Sequence, residues 1–397
     1  MGEELGGEFD LERYDASALQ RRSGVKWHRD GEGVLAAWVA DMDYPLAPEV
    51  TAAIRSALDA DDLGYPDRCL DAAVRAAHCS WALARHGLEL DPAQLVVVSD
   101  VVQAIYLALL TLTEPGDAVA FLTPAYPPFF AAVEETGRRV VTCDLLPGAS
   151  RYELDRDRLA AVVRREKVRC LLLCNPHNPT GRCLEPGELD FLAQLACEED
   201  LLVLSDEIHA DLALPGAVHL AMAGRSAEVA ARCVSFFSAS KSFNTAGLRC
   251  AVAAFGSGAL KERFERFPPH ARGGVSVPGM LASVAAWEHG SAWLEAVIER
   301  LAGNRDLVAG FVREHLGEVR HFPPEGTYLA WLDLSATGLG EDPAAWLREH
   351  AGIALSPGPE FGPAGRGHAR LNFATPRPVL EEVLARLESG LRRHRAG

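Results

Sequence analysis

The chain has 397 residues, of which 48% are hydrophobic and 24% charged, a composition typical of globular proteins. Its formal net charge is −16, from 39 basic and 55 acidic side chains. Because nucleic acids and anionic membranes repel such a surface, we expect neither as a partner. The length exceeds what one small core can use, which predicts one large domain and a smaller one.

The N-terminal residues and the cysteines indicate where in the cell the protein is expected. Residues 1–15 are acidic and polar, unlike a secretion signal, and no apolar run is long enough to span a bilayer. The nine cysteines are scattered, and no two of them form a Cys-x-x-Cys pair. We expect small buried thiols, no metal site and no disulfide framework, which together predict a cytoplasmic protein.

Short apolar segments alternate with helical patterns between residues 95 and 256. The predicted strands are 95–100, 118–124, 139–146, 169–176, 201–208, 233–240 and 249–256. Continuously apolar strands separated by helices are typical of an α/β fold whose mostly parallel sheet is covered on both faces. Such sheets bind ligands at the carboxyl ends of their strands.

The pattern changes after about residue 278, which predicts a smaller α+β domain. A long helix-like stretch, 278–315, comes first. The later predicted elements are strands 327–335 and 368–375 and helices 343–351 and 378–394. We therefore divide the chain into an N-terminal segment, a large domain and a small C-terminal domain, with the bounds 1–45, 46–285 and 286–397. The N-terminal segment is expected to pack against the small domain or a partner subunit.

Functional side chains follow several of the predicted strands, which favours one common site. They are Ser99, Asp100, Tyr126, Asn175, Asn178, Asp206, His209, Ser238 and Lys241. Lys241 is the least expected of them, because the apolar strand CVSFFSAS runs directly into it. Burying an ammonium is costly unless it is paired or loses its charge. The simpler alternative is a lysine that ends the strand and extends to water.

Four motifs in this order resemble the fold-type I pyridoxal phosphate (PLP) enzymes of the class I/II aminotransferase superfamily. They are NPHNPTG (175–181), SDEIH (205–209), SASKSFNTAGLR (238–249) and ARLNFATP (369–376). Further segments resemble the MalY/PatB-type carbon–sulfur lyases, which are similar to cystathionine β-lyase. They are AAWVADMDYPLAPEV (36–50), GYPD (64–67), TPAYPPF (123–129) and GTYLAWLDL (326–334).

The resemblance implies PLP as cofactor and assigns residues around its ring. Lys241 provides the amine that binds the cofactor aldehyde, and Asp206 the carboxylate that keeps the pyridine nitrogen protonated. Asn178 and His209 match positions that contact the cofactor's 3′-oxygen, and Tyr126 matches an aromatic side chain that stacks on the ring. The simpler alternatives are a helix cap for Asp206, an Asn-Pro turn for Asn178, a structural histidine and core packing.

The cofactor phosphate requires backbone amides at a helix start, hydroxyls and a cation. The candidates are the amides of Val101 and Val102, the hydroxyls of Ser238 and Ser240, the side chain of Arg249, and Tyr65. The simpler alternative for Arg249 is a surface salt bridge. Tyr65 resembles a tyrosine that reaches the phosphate of the neighbouring subunit, which implies a homodimer. The chain departs from the family at two positions: Asp100 stands where glycine is usual, and Pro127 where some relatives carry a second tyrosine.

Arg370 resembles the arginine that binds the substrate α-carboxylate, and Asn175 is a second candidate for that group. Tyr65 is a candidate for contact with the substrate as well as with the phosphate. No second arginine for a side-chain carboxylate is identifiable in the sequence. The resemblance implies a PLP-dependent lyase that cleaves an L-cysteine S-conjugate to thiol, pyruvate and ammonia. The alternatives are an aminotransferase, an enzyme that decarboxylates or oxidatively deaminates an S-conjugated cysteine, and a binding or regulatory protein. The presence of Lys241, Asp206 and Arg370 together disfavours the last.

Overall fold

A computed structural model describes residues 9–396. Its main feature is a seven-stranded sheet in the order β2-β10-β9-β8-β7-β3-β4. Six of these strands are parallel to one another, and only β10 runs antiparallel to both of its neighbours. The sheet confirms the predicted α/β fold and its seven strands; all seven end one to three residues earlier than predicted, and only β8 and β10 begin later.

Within the described residues the chain forms short strands, as predicted, and helices of very different length. The strands are β1 Leu35–Ala36, β2 Leu95–Val98, β3 Ala118–Thr123, β4 Arg139–Asp144, β5 Leu146–Pro147, β6 Tyr152–Glu153, β7 Val168–Cys174, β8 Leu202–Asp206, β9 Cys233–Phe237, β10 Ala251–Phe255, β11 Arg320–His321, β12 Leu329–Asp333, β13 Ile353–Ala354, β14 Ser356–Pro357 and β15 His368–Asn372. The α-helices are α1 Ala16–Gln20, α2 Val25–His28, α3 Pro48–Asp59, α4 Arg68–His86, α5 Val101–Leu112, α6 Pro127–Glu135, α7 Arg156–Glu166, α8 Pro186–Glu198, α9 Ala227–Ala230, α10 Ala239–Ser242, α11 Gly258–Glu265, α12 Pro269–Arg272, α13 Val277–His289, α14 Ser291–His315, α15 Pro343–Ala351 and α16 Arg377–Ala396. None of these helices combines the length and the apolar character that crossing a membrane would need.

Both faces of the large sheet are buried, which explains why its strands are apolar without alternation. In β3, Ala120 and Leu122 belong to the core that contains α7 and α8. Val119 and Phe121, which point the other way, belong to the core that contains α5 and α6. Because successive strand residues face opposite sides, a sheet between two helix layers needs apolar residues at every position.

A smaller four-stranded sheet, in the order β11-β12-β15-β14, forms in the C-terminal part of the chain. The N-terminal segment joins this region, because β1 pairs in parallel with β13. A buried ion pair anchors the same segment: the Lys26 ammonium lies 2.8 Å from the Asp43 carboxylate, which also accepts a hydrogen bond from Trp27. The three-part division of the chain stays a prediction, and its boundary at 285 falls inside α13.

The long helical stretch predicted for 278–315 is two helices, α13 and α14, separated at Gly290. A side chain at this position would lie 2.4 Å from the ring of Phe243 and 2.6 Å from the carbonyl oxygen of Ala286. Only glycine allows this close approach. The apolar periodicity continues through the break, so the sequence pattern did not reveal it.

Candidate functional site

A cavity of about 480 Å³ opens at the carboxyl ends of β7, β8 and β9, where the sequence predicted a site. Twelve of the predicted residues line it together. They are Ser99, Asp100, Val101, Val102, Tyr126, Asn178, Asp206, His209, Ser238, Ser240, Lys241 and Arg249. These residues come from five separate stretches of the chain. The cavity therefore depends on the order in which the strands assemble.

Lys241 lies on α10, a single helical turn that follows β9 and is capped by Ser238. Its Nζ donates a hydrogen bond to the Ala40 carbonyl at 2.7 Å and lies 4.0 Å from the Asp41 carboxylate. Burial lowers the pKa of the Lys241 amine, and the nearby Arg370 lowers it further, against the opposing effect of Asp41. The lowered pKa makes the neutral, nucleophilic form of the amine more accessible than it is in a lysine exposed to water.

A buried carboxylate, that of Asp211, holds α10 in place from behind. Its Oδ2 accepts a hydrogen bond from the Ser242 hydroxyl at 2.9 Å, and its Oδ1 accepts one from Trp81 Nε1 at 2.8 Å. His86 lies 2.9 Å from the same Oδ1. Sequence reasoning missed Asp211, although it stands only two residues beyond His209 in the motif.

Asp206 and His209 bring two unusual titratable groups to the cavity. Burial raises the pKa of the Asp206 carboxyl to about 7, although the backbone N–H of Ile208 donates to its Oδ1 at 3.1 Å. Burial also lowers the pKa of His209 to about 3, so the imidazole is neutral. Its buried Nδ1 has no hydrogen-bond partner among residues 9–396. Both side chains are therefore available to a polar ligand.

Arg370, on β15, reaches the cavity through Asn178. Its Nη1 donates to Asn178 Oδ1 at 2.9 Å, and its Nη2 donates to the Trp38 carbonyl at 2.9 Å and to Ser356 Oγ at 3.0 Å. Burial lowers the pKa of the guanidinium to about 10. No carboxylate within the described chain lies within ion-pair distance of it. A buried cation without a counter-ion is a suitable partner for an anionic ligand.

The start of α5 forms a second polar corner of the cavity. Asp100, the unexpected acid, caps this helix by accepting the Gln103 N–H at 2.8 Å through Oδ1. Its Oδ2 lies 2.7 Å from Arg249 Nη1. The carboxylate therefore has two partners of its own, and the first N–H groups of the helix, on Val101 and Val102, remain available to an anion.

Three predicted residues do not line the cavity: Arg370, which reaches it only through Asn178, and Asn175 and Tyr65. The Asn175 amide donates to the Leu220 carbonyl at 3.0 Å and accepts from the Leu184 N–H at 3.0 Å, so it links two backbone segments. Tyr65 lies between α3 and α4 and is completely exposed, at 103% of the reference area. Pro127 occupies the first turn of α6, a position where proline is favoured because no backbone N–H is needed there.

Residues that the sequence did not single out also line the cavity. They are Ala40, Gln103, Tyr106, Cys174, Ile208, Ala246 and Cys250. Ala40 lies inside the segment 36–50 that carried part of the resemblance. Ala40 contacts Lys241 through its backbone carbonyl. A sequence motif does not show which backbone carbonyl a distant lysine side chain will contact.

The family model for class I and II aminotransferases matches residues 39–387. A cystathionine β-lyase of Corynebacterium glutamicum is 35% identical, over 94% of this chain and 98% of its own. The cystathionine β-lyase PatB of Bacillus subtilis is 34% identical, over 92% and 96%. The crystal structure of a PLP-bound C–S lyase from Staphylococcus hominis superimposes with a TM-score of 0.90 at 29% identity, covering 96% of this chain and 99% of that one.

The raised pKa of Asp206 predicts a stability cost in the protein without bound ligand. Because the folded state holds the Asp206 proton to a higher pH than the unfolded chain, stability declines as the pH rises from about 4 through 7. Asp206→Asn should therefore increase the free energy of unfolding at pH 8 by about 2–4 kcal/mol, and by less at pH 5.

Urea unfolding of the ligand-free protein at several pH values measures this effect. Asp157→Asn, at an exposed position on α7, is the matched control and should change stability by less than about 0.5 kcal/mol. An Asp206→Asn protein that is less stable than the wild type at pH 8 would contradict the prediction.

Proposed function

This chain belongs to the class I and II aminotransferase family, and we propose that it is a carbon–sulfur lyase. It is a PLP-dependent enzyme, in keeping with the family and with its PLP-bound structural neighbours. The proposed substrate is an L-cysteine S-conjugate, which water and the enzyme convert to thiol, pyruvate and ammonia. One observation carries the proposal: a low-pKa lysine and a buried carboxylate share a cavity with an asparagine that is bonded to a buried arginine.

The donors in the cavity fit PLP. Lys241 supplies an amine whose pKa is lowered by burial, which suits it to bond with an aldehyde. The buried Asp206 carboxyl suits a ring nitrogen that must hold a proton. The buried Nδ1 of His209 has no hydrogen-bond partner in the described part of the chain, and Tyr126 lines the same space.

The phosphate of PLP would be held at the start of α5. The backbone N–H groups of Val101 and Val102 suit a phosphate, and Arg249 provides a cation at the same corner. The Ser240 hydroxyl also lines the cavity. Ser238 donates its hydroxyl proton to the Cys250 carbonyl at 2.7 Å, so we expect it to act mainly by capping α10.

PLP supplies a reactive aldehyde and a ring that accepts electron density from the substrate Cα. The residues of this chain do the rest. Arg370 binds the substrate carboxylate with Asn178 beside it, which orients the Cα–H bond. Lys241, as a neutral amine, takes the proton from Cα, and Asp206 keeps the proton on the ring nitrogen. The Cβ–S bond then breaks and the thiolate leaves with the bonding electrons.

Asn175 has no part in this scheme, because both ends of its amide are bonded to the backbone. The aminotransferase alternative shares every residue of the scheme up to proton removal. A probable N-succinyldiaminopimelate aminotransferase of Mycobacterium tuberculosis is 29% identical, over 87% of this chain and 89% of its own. The higher identity of the cystathionine β-lyases favours elimination.

We also infer a homodimer with shared sites and a cytoplasmic location. The dimer rests on Tyr65, whose ring is fully exposed beside the partly exposed Leu63 in the loop between α3 and α4. An aromatic side chain in this position has no packing role within its own subunit, which suits a contact with a second one. The cytoplasmic location rests on the scattered free cysteines.

Lys241 should carry the cofactor. The chain has only four lysines, and Lys26, Lys167 and Lys261 lie outside the cavity. Borohydride reduction of the holoenzyme should fix the cofactor on the peptide that contains Lys241, as read by mass spectrometry. Lys241→Ala should abolish both the adduct and turnover. Labelling of any of the other three lysines would show the assignment to be wrong.

The products distinguish elimination from its alternatives. L-cystathionine or an S-alkyl-L-cysteine should give thiol and pyruvate in equal amounts without any added 2-oxo acid. Turnover that requires a 2-oxo acid and leaves the C–S bond intact would identify an aminotransferase. Release of carbon dioxide with an aldehyde would identify a decarboxylating enzyme. Arg370→Gln should cost about 2–5 kcal/mol of transition-state binding, with a higher KM and a lower kcat.

Tyr65→Phe should weaken PLP binding about tenfold, because the variant loses a hydroxyl that donates to the charged phosphate. The thermal midpoint of the cofactor-free protein should not change, since the side chain is exposed. Cofactor titration measures PLP binding, differential scanning calorimetry measures the thermal midpoint, and sedimentation measures the oligomeric state. A wild-type monomer that is fully active at high dilution would refute the shared site.

A further inference from the structure

A second, smaller cavity of about 170 Å³ adjoins the one that contains Lys241. It lies between the N-terminal segment and the loop after α10, and it is lined by Arg22, Gly24, Lys26, Trp27, Asp41, Met42, Asp43, Asn244, Ala246 and Gly247. Ala246 lines both cavities. Asp41 Oδ1, on the wall of the smaller cavity, lies 4.0 Å from Lys241 Nζ. A ligand that extends away from Lys241 past Asp41 would enter this space.

Two of the four charged side chains of this smaller cavity are already neutralised. The Lys26 ammonium donates to Asp43 Oδ2 at 2.8 Å and to the Asp41 carbonyl at 2.9 Å. Asp43 Oδ1 accepts the Trp27 N–H at 2.8 Å. Both members of the pair are buried, and their hydrogen bonds hold the N-terminal segment in place. They are structural and have little capacity left for a ligand.

The other two charged side chains, those of Asp41 and Arg22, have capacity left. No donor within residues 9–396 makes a hydrogen bond to the Asp41 carboxylate, and its distance from Lys241 is too long for one. Arg22 has no carboxylate within ion-pair distance in the same part of the chain. It makes one long hydrogen bond, 3.4 Å, to the Asp43 carbonyl, and its guanidinium packs 4.2 Å from the centre of the Tyr14 ring. One anion and one cation therefore face the same small space.

We propose that this smaller cavity binds the far end of the substrate and selects an amino acid on the other side of the sulfur. The distal ammonium would pair with Asp41, and the distal carboxylate would accept two hydrogen bonds from Arg22. This inference rests on the proposed function and assigns two specificity-determining residues to it: Arg22 and Asp41 would favour thioethers whose second substituent is itself a zwitterionic amino acid, as in cystathionine, over simple S-alkyl cysteines. Although no second arginine is identifiable in the sequence, the fold brings Arg22 to this place.

Steady-state kinetics of the holoenzyme with two substrates test the proposal. L-cystathionine carries the distal amino acid, and S-ethyl-L-cysteine lacks it. In Arg22→Gln and in Asp41→Asn, the ratio of kcat/KM for L-cystathionine to that for S-ethyl-L-cysteine should fall about tenfold, as for one lost charge pair in a partly exposed cleft. Arg21→Gln is the matched control, because Arg21 is exposed, contacts Ser17 and lies outside the cavity. Its ratio should equal that of the wild type.

A change that acts through Lys241 would lower both kcat/KM values together and leave their ratio unchanged, and this result would overturn the proposal. Calorimetric titration gives a second readout that needs no C–S cleavage. The sulfur-free isostere of cystathionine, 2,7-diaminosuberate, should bind the wild-type holoenzyme about tenfold or more tighter than norleucine, the isostere of S-ethylcysteine. Arg22→Gln should remove that difference.

The two experiments separate the failure of this inference from that of the proposed function. If the wild type releases no thiol from either substrate but binds 2,7-diaminosuberate more tightly than norleucine, the lyase assignment fails and the distal site stands. If thiol is released but the isosteres bind equally, the distal site fails and the lyase assignment stands.

Discussion

The desolvation of one lysine and one carboxylate at the end of a parallel sheet is the constraint on which the site depends. Burial makes the Lys241 amine less basic and the Asp206 carboxyl less acidic, which moves both toward their neutral forms. Each change is unfavourable for the protein without a bound cofactor. Each favours the binding of a group that contributes an aldehyde and a ring nitrogen. The buried Asp211, bonded to Ser242, keeps the lysine-bearing turn in this position.

A strap formed by residues 38–41 connects this centre to the rest of the molecule. Each of its four backbone carbonyls accepts a side-chain hydrogen bond: Arg370 donates to that of Trp38, Asn372 to those of residues 39 and 41, and Tyr328 and Lys241 to that of Ala40. Lys26 donates to the carbonyl of residue 41 as well. Because these donors come from both ends of the chain, the geometry around Lys241 and Arg370 is set jointly by elements that are remote in sequence.

Charge is used differently at the two proposed anion sites, the one for the substrate carboxylate and the one for the cofactor phosphate. The buried guanidinium of Arg370 has no carboxylate at ion-pair distance among residues 9–396, so an incoming carboxylate would pair with it. At the start of α5 the cation does have a counter-ion, because Asp100 both caps the helix and pairs with Arg249. This pair lowers the net positive charge beside the helix terminus. Binding of an anion at this corner therefore relies more on the backbone N–H groups than the presence of Arg249 alone would indicate.

The sequence by itself determined the seven strands and the side chains that follow them, because apolar runs and turn residues act locally. It also identified Lys241, Asp206 and Asn178 through short motifs. Only the tertiary structure decided that β10 runs antiparallel, that Asn175 bonds to the backbone, and that a helix breaks at Gly290. The contact between Lys241 and the carbonyl of Ala40 spans 201 residues of sequence. Such contacts follow from strand order and segment packing, which have no local sequence pattern, so the second cavity could be found only in the folded chain.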